Sequence, residues 1–136
     1  MVNLIVGVKG TGKTKMLIEK VNDAVDMTKG CVVCVEKGTK LIHEIRYQAR
    51  LIDTDEYLIS DAVELYGFIA GIFASNHDVT HIFIDSALKI CNNDVTAFEI
   101  FMGKIKNFAE NNSIEFTITS SIPINEISCK LKKYIA

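Results

Sequence analysis

The chain has 136 residues, of which 49% are hydrophobic and 24% charged, with a formal net charge of −2. This length suits one domain with a core of its own, and the composition excludes a disordered chain. The slight negative charge gives no general reason to expect nucleic acid as a partner. No apolar run is long enough to span a membrane, and no signal-peptide pattern is visible. We therefore expect residues 1–136 to form a single, soluble, cytoplasmic domain.

The first half of the chain predicts strands around one helix. Residues 2–6 form an apolar run that ends at a glycine, which is typical of a central parallel strand. Residues 13–29 have apolar side chains at helical spacing. Residues 31–36 predict a second buried strand. The region 38–58 is the least clear, and within it "ARLID" (49–53) is a candidate for a short extra strand.

The second half continues this alternation. Residues 61–75 predict a helix, in which Asp61 and Glu64 have the spacing of a capping box. A third buried strand is predicted at 81–85. Beyond it, apolar side chains at helical spacing predict a helix that begins near Asp94.

The C-terminal part predicts a last strand and a last helix. Residues 114–120 form the fourth apolar run, and Pro123 is placed to open a closing helix. Four side chains of that helix are expected to face inward: Ile124, Ile127, Leu131 and Ile135. Alternating strands and helices indicate an α/β fold, a three-layer αβα sandwich with a mainly parallel sheet of four or five strands. In such a sheet, ligands bind beyond the carboxyl ends of the strands.

The cysteines and histidines lack the spacing of a metal site. Cys31 and Cys34 form a C-x-x-C within an apolar run, but positions three apart on a strand face opposite sides and do not chelate one ion. The remaining residues of these two types are isolated in the sequence: Cys91, Cys129, His43, His77 and His81. We expect reduced thiols that are buried or incidental.

Residues 7–14, "GVKGTGKT", match the spacing G-x-x-x-x-G-K-[ST]. Glycines let successive N–H groups turn toward phosphate oxygens, and the following helix adds its positive end. Lys13 would reach the β- and γ-phosphates, and the Thr14 hydroxyl would coordinate Mg²⁺. An incidental glycine-rich turn is disfavoured because the loop lies between a predicted strand and a predicted amphipathic helix. The expected nucleotide-binding residues are Gly7, Val8, Lys9, Gly10, Thr11, Gly12, Lys13, Thr14 and Lys15.

A second anchor for Mg²⁺ is expected at Asp85. This carboxylate ends the apolar run "HIFID", where it is placed to hold the metal through water. The alternative is that Asp85 only caps the next segment.

With these two motifs the chain resembles the P-loop NTPases, with Walker A at Gly7–Thr14 and Walker B at Ile82–Asp85. The order of strands and helices is similar over nearly the whole chain, whereas the sequence likeness is specific only at the two motifs. The chain resembles the RecA-like branch, in which another strand lies between the strands that carry the motifs. This resemblance implies that 115–120 is the intervening strand. It places three residues near the γ-phosphate as sensor-like groups, unless they are ordinary strand-end hydroxyls: Thr119, Ser120 and Ser121.

Two longer segments carry a narrower resemblance. "ARLIDTDEY" (49–57) and "YGFIAGIFASNHDVTHIFID" (66–85) are similar to a group of short bacterial P-loop proteins. Some members of this group are loosely labelled as twitching-motility ATPases and have no assigned activity. The likeness to true motility motors covers only the nucleotide loop.

Hydrolysis would need a group that activates water and a cation that stabilises the phosphoryl group. Many related ATPases have Glu directly after the Walker B Asp, whereas this chain has Ser86. RecA resembles a second arrangement, in which the base is a Glu at the end of the strand that follows the P-loop helix. Glu36 has that position in this chain and is the expected base. The alternative is that Glu36 forms a pair with Lys37 or Lys40. Two arginines, Arg46 and Arg50, would act as fingers, even across a subunit interface. Their alternative role is surface pairing with Glu44 or Asp53.

The function expected is binding of ATP and Mg²⁺ with slow or partner-stimulated ATPase activity. One alternative is a nucleotide-dependent switch or scaffold without hydrolysis, which Ser86 favours. Another is a small kinase related to thymidine kinase, although the paired cysteine motifs and lid arginines of such kinases are not found. ATP is favoured over GTP because the chain has no N-K-x-D motif.

Overall fold

The four apolar runs and the ARLID segment form the strands of one sheet in the computed structural model, which describes residues 1–135. Each strand is parallel to its neighbours, and the order across the sheet is β1-β5-β4-β2-β3. The strands are β1 (Val2–Val6), β2 (Cys31–Glu36), β3 (Arg50–Asp53), β4 (Val79–Ile84) and β5 (Glu115–Ser120). The short strand in the unclear region is thus confirmed, and the sheet has five strands.

Helices cover both faces of the sheet. They are α1 (Lys13–Met27), α2 (Ala62–Ser75), α3 (Ala87–Ile90), α4 (Val95–Asn112) and α5 (Cys129–Lys132), with 3-10 turns at Thr54–Tyr57 and Ile124–Glu126. One buried cluster lies under α1 and residues 41–49, and a larger cluster lies under the other helices. The fold is therefore α/β with an all-parallel sheet, and it is compatible with three layers.

The β2 strand explains why its sequence is apolar throughout. Val32 and Cys34 pack in the cluster under α1, whereas Val33 and Val35 pack in the cluster on the opposite face. Alternate side chains of a strand point to opposite faces, so a strand covered on both sides needs apolar residues at every position. Cys31, the first residue of the strand, is exposed, whereas Cys34 is buried.

Aspartate side chains cap two helices, at the predicted box of α2 and at the predicted start of α4. The Asp61 carboxylate accepts the Glu64 N–H at the start of α2, and the Asp94 carboxylate accepts the Ala97 N–H at the start of α4. The second half of the predicted capping box differs, because the Glu64 carboxylate accepts the N–H of Ser60 instead of that of Asp61.

The predicted closing helix is wrong. After Pro123 the chain forms a 3-10 turn, two extended residues and the one-turn helix α5. Ile127 and Leu131 are buried as expected, but Ile124 is 69% exposed and Ile135 is exposed as well. The reason lies at the outer edge of β1, where the Tyr134 carbonyl accepts the Leu4 N–H and Ile135 forms a parallel bridge to Leu4. A continuous helix would leave that edge without a hydrogen-bonding partner.

Within residues 1–135, no helix has the length and apolar character that crossing a lipid bilayer requires.

Candidate functional site

The carboxyl ends of four neighbouring strands meet at one edge of the sheet. β5 pairs with β1 on one side and with β4 on the other, so it is the intervening strand that the RecA-like resemblance implies. β2 lies beside β4, where the Asp85 N–H donates to the Val35 carbonyl at 2.9 Å. This arrangement brings three features to the same edge of the sheet: the loop after β1, Asp85 after β4, and Glu36 at the end of β2.

The glycine loop has a backbone that other residues adopt only with strain. Gly10 and Gly12 have φ angles of 87° and 85°, in the left-handed region, and Gly12 is the residue that precedes α1. A Cβ atom built at either glycine meets no atom within 4 Å, so open space lies in front of this backbone. A left-handed turn that opens onto a helix N-terminus is the arrangement in which main-chain N–H groups bind anions.

Lys13 lies folded over this loop. Its side chain is mostly buried, and its Nζ donates to the Val8 carbonyl at 2.9 Å. The Thr11 hydroxyl donates to the same carbonyl at 2.7 Å. The ammonium group is thus held beside the open backbone. A phosphate oxygen is a stronger acceptor than the Val8 carbonyl and would take its place in the hydrogen bond with Lys13.

Two side chains from different elements meet at Asp85, which directly follows β4. The Thr14 hydroxyl, from the first turn of α1, lies 3.3 Å from Asp85 Oδ1, although the two residues are 71 positions apart. The Thr119 hydroxyl donates to the same oxygen at 2.8 Å and accepts the Ser86 N–H at 2.8 Å. Asp85 and Thr119 are buried. The structure therefore joins the two motif residues and one of the three sensor candidates in one network.

The donor atoms at this point suit Mg²⁺. The Thr14 hydroxyl and the Asp85 carboxylate are hard oxygen ligands, which this ion prefers. Among the described residues, no group of three or more His, Cys, Asp or Glu side chains could hold a metal ion without help. Mg²⁺ in phosphate sites usually binds one or two protein oxygens, and phosphate and water supply its other ligands.

Glu36 is buried at the end of β2. Its Oε2 accepts the Leu41 N–H at 3.0 Å, and its Oε1 has no partner. Burial raises the pKa of Glu36, and the nearby negative charge of Asp85 adds to that effect. A carboxylate with a raised pKa and a free oxygen is suited to accept a proton from water. The alternative pairing with Lys37 does not occur, because Lys37 binds Asp55 at 2.7 Å.

An open cavity of about 290 Å³ lies against the loop. Half of the residues that line it are lysines, and the others are small or hydroxyl-bearing: Lys9, Lys13, Lys15, Lys40, Lys89, Gly10, Gly12, Thr14, Ser86 and Ser121. The cavity is therefore polar, cationic and adjacent to the Thr14–Asp85 pair.

The three sensor candidates occupy different environments. Thr119 contacts Asp85, and Ser121 lines the cavity. Ser120 is fully buried and its hydroxyl has no partner. Because side chains alternate along β5, Ser120 lies on the sheet face opposite to Thr119. Only Thr119 and Ser121 are positioned toward the loop.

Neither arginine lies near the loop of its own chain. The Arg46 guanidinium pairs with the Asp26 carboxylate near the end of α1, ~20 Å along the helix from Lys13. Asp26 therefore replaces the partners Glu44 and Asp53 that the sequence suggested. Arg50 is exposed at the amino end of β3, whereas the candidate site lies at the carboxyl ends of the strands. The geometry gives neither side chain a role at the loop within one chain.

The sequence interpretation missed Lys89, and it considered Lys40 only as a partner for Glu36. Each lies four positions after a carboxylate that ends a strand, Lys89 after Asp85 and Lys40 after Glu36. A cation shortly after the end of a central strand was the available signal, since such segments border the ligand edge of a parallel sheet.

Comparisons with known proteins add no further assignment. No protein-family model matches the chain, and no curated protein matches it either. Three features of the structure point to a function: the glycine loop, the Thr14–Asp85 pair and the cationic cavity.

Proposed function

We propose that this protein binds Mg·ATP at the 7–15 loop, with a P-loop NTPase fold of the RecA-like kind. The observation that carries the proposal is the short distance between the Thr14 hydroxyl and Asp85 Oδ1 at the mouth of the glycine loop. A threonine directly after the loop lysine and a carboxylate at the end of a central strand are the two protein groups that a nucleotide-bound Mg²⁺ needs.

The chain's own groups divide the work of binding. Main-chain N–H groups of the loop and the start of α1 would bind the phosphate oxygens. Lys13 would exchange its bond with the Val8 carbonyl for a phosphate oxygen. Thr14 and Asp85 would hold Mg²⁺, which neutralises charge on the phosphates. Thr119 would keep the Asp85 carboxylate oriented through its 2.8 Å hydrogen bond.

Slow hydrolysis is the reaction we propose. A water oxygen would attack the terminal phosphorus, the bond from that phosphorus to the bridging oxygen would break, and Glu36 would take the proton from water. The products would be ADP and inorganic phosphate. The unpaired Oε1 of Glu36 is a free acceptor for this proton, and water would reach it once nucleotide binding opens this buried position. The bond from Oε2 to the Leu41 N–H holds the carboxylate in place. Ser86 in the position of the usual glutamate supports a low rate unless a partner completes the site.

A nucleotide-dependent switch without hydrolysis is the second candidate. Glu36 directly precedes the segment 37–49, which contains Lys40 and packs on α1 through Leu41 and Ile45. Nucleotide in the cavity would contact Lys40 and so favour one arrangement of this segment. The two candidates share the binding site and differ only in turnover. A small kinase has no specific observation in its favour, and a screen of phosphate acceptors would detect it.

Calorimetric titration tests the binding proposal. Mg·ATP should bind the wild-type protein, and Lys13→Ala should weaken binding at least about tenfold, since a charge-assisted bond to phosphate is lost. Lys20→Ala, on an exposed part of α1, is the control and should bind as the wild type does. Equal binding by all three proteins, or none by the wild type, would contradict the proposal. Phosphate release above the Lys13→Ala background would favour the ATPase over the switch.

A further inference from the structure

The cavity beside the glycine loop concentrates positive charge on a chain whose formal net charge is −2. Its lining includes no aspartate or glutamate. The salt bridges found among residues 1–135 do not involve any of the lysines that line it. Burial raises the pKa of Glu36, and Lys40 lies close enough for its charge to oppose that rise, but no carboxylate lines the cavity itself. Five lysines in a concave site of this kind favour an anionic ligand that carries several charges.

These lysines come from two sides. Lys9, Lys13 and Lys15 belong to the loop and the first turn of α1. Lys40 and Lys89 instead follow the ends of β2 and β4, the strands that lead to Glu36 and Asp85. Both of these side chains are exposed and line the same cavity. Two cations therefore flank the side on which the carboxylates lie.

No arginine of the same chain is available on that side. Arg46 is held by Asp26, and Arg50 lies at the amino end of β3. A triphosphate bound with its terminal group toward Glu36 would need positive charge there, because the equatorial oxygens of that group carry charge that increases during transfer. Lysine supplies such charge as a point cation, although without the two-pronged geometry of arginine.

We propose that Lys40 and Lys89 bind the terminal phosphate of a nucleoside triphosphate and so make this site selective for triphosphate over diphosphate. The inference rests on the proposed function, and it adds two residues and a ligand preference to it. The loop lysines would bind the phosphates that ATP and ADP share. Lys40 and Lys89 would contact only the phosphate that ADP lacks.

Nucleotide affinities measured by calorimetry in the presence of Mg²⁺ test this assignment. Lys40→Gln and Lys89→Gln should each weaken ATP binding about tenfold and change ADP binding less than about twofold. Lys20→Gln removes the same charge from an exposed position of α1 and should change neither affinity by more than about twofold. Tripolyphosphate should compete with ATP more strongly than pyrophosphate does. That result would show that the preference depends on the phosphates and not on the base.

Two kinds of failure are distinguishable. If the wild type binds ATP but Lys40→Gln and Lys89→Gln weaken ATP and ADP equally, or leave both unchanged, the terminal-phosphate role is wrong and the nucleotide site stands. If the wild type binds neither nucleotide, the proposed function itself is wrong. Because both lysines are exposed, the variants should melt within about 2 °C of the wild type without nucleotide.

Discussion

Replacement of Thr119 by valine should measure how strongly the Asp85 network holds the site together. Valine keeps the shape of the side chain but removes the hydroxyl, which donates to Asp85 Oδ1 and accepts the Ser86 N–H, each at 2.8 Å. Thr119 is 1% exposed, so water does not replace it easily. A hydrogen bond to a charged group contributes about 1.5–3 kcal/mol, and a buried N–H without a partner costs about 1–3 kcal/mol. We expect a total loss of roughly 3 kcal/mol in the free energy of unfolding.

For a domain of this size, that loss corresponds to a melting temperature lower by about 10 °C. Urea denaturation followed by circular dichroism, together with thermal melting, measures both quantities without nucleotide. Thr117→Val is a matched control, because Thr117 lies two positions earlier on β5 and its hydroxyl has no hydrogen bond among the described residues. That variant should change stability by less than about 0.5 kcal/mol. Equal melting temperatures for the two variants would refute the reasoning.

Three further predictions concern charge and burial. Because burial and Asp85 raise the pKa of Glu36, its ionisation destabilises the folded state as the pH rises above the ordinary glutamate range. Glu36→Gln should therefore be more stable than the wild type at about pH 8, and this advantage should disappear at about pH 4, as urea midpoints would show. Arg46→Ala should lower the free energy of unfolding by less than about 1 kcal/mol, because its partner Asp26 is a surface residue. The variant should bind nucleotide as the wild type does, since this pair lies far from the loop. A loss of affinity would point to a role of Arg46 between subunits. Burial raises the pKa of the Cys34 and Cys91 thiols, and that of Cys91 rises to about 12. An aromatic disulfide reagent should therefore modify two thiols rapidly in the folded protein and the other two only on unfolding. The expected fast thiols are those of Cys31 and Cys129, and the slow thiols are those of Cys34 and Cys91.

The strands and long helices were predictable because their signals are local. An apolar run of five or six residues, or apolar side chains at helical spacing, already determines which element buries those side chains. The segment 37–49 has no such signal. Leu41, Ile45 and Ala49 are buried at helix-like spacing, yet the segment forms turns. Its backbone is held by side chains from elsewhere, since Asn22 of α1 accepts the Arg46 N–H and Glu36 accepts the Leu41 N–H. Tertiary hydrogen bonds of this kind leave no periodic pattern.

In the candidate site, too, some features were predictable from the sequence and others were not. The glycine loop was predictable because its backbone requires glycine at positions close together in the sequence. The contact of Thr14 with Asp85 followed from the expected sheet, in which both lie at the carboxyl edge. The convergence of Lys40 with Lys89 was not predicted, since it depends on β2 and β4 being neighbours. The pairing of Arg46 with Asp26 was also missed, because the path of the segment 37–49 over α1 was unknown.

The pairing of β1 with β5 has a consequence for the synthesis of this protein. Val2 lies opposite Phe116, so β1 is synthesised well before its strand partner β5. At roughly 5–20 residues per second, the apolar residues of β1 wait on the order of ten seconds before that partner exists. During this time the nascent chain exposes an unpaired apolar strand, which is the kind of segment that chaperones bind. The loop after β1 is therefore anchored between its neighbouring strands only after β5 has been made, so the candidate site forms late in folding.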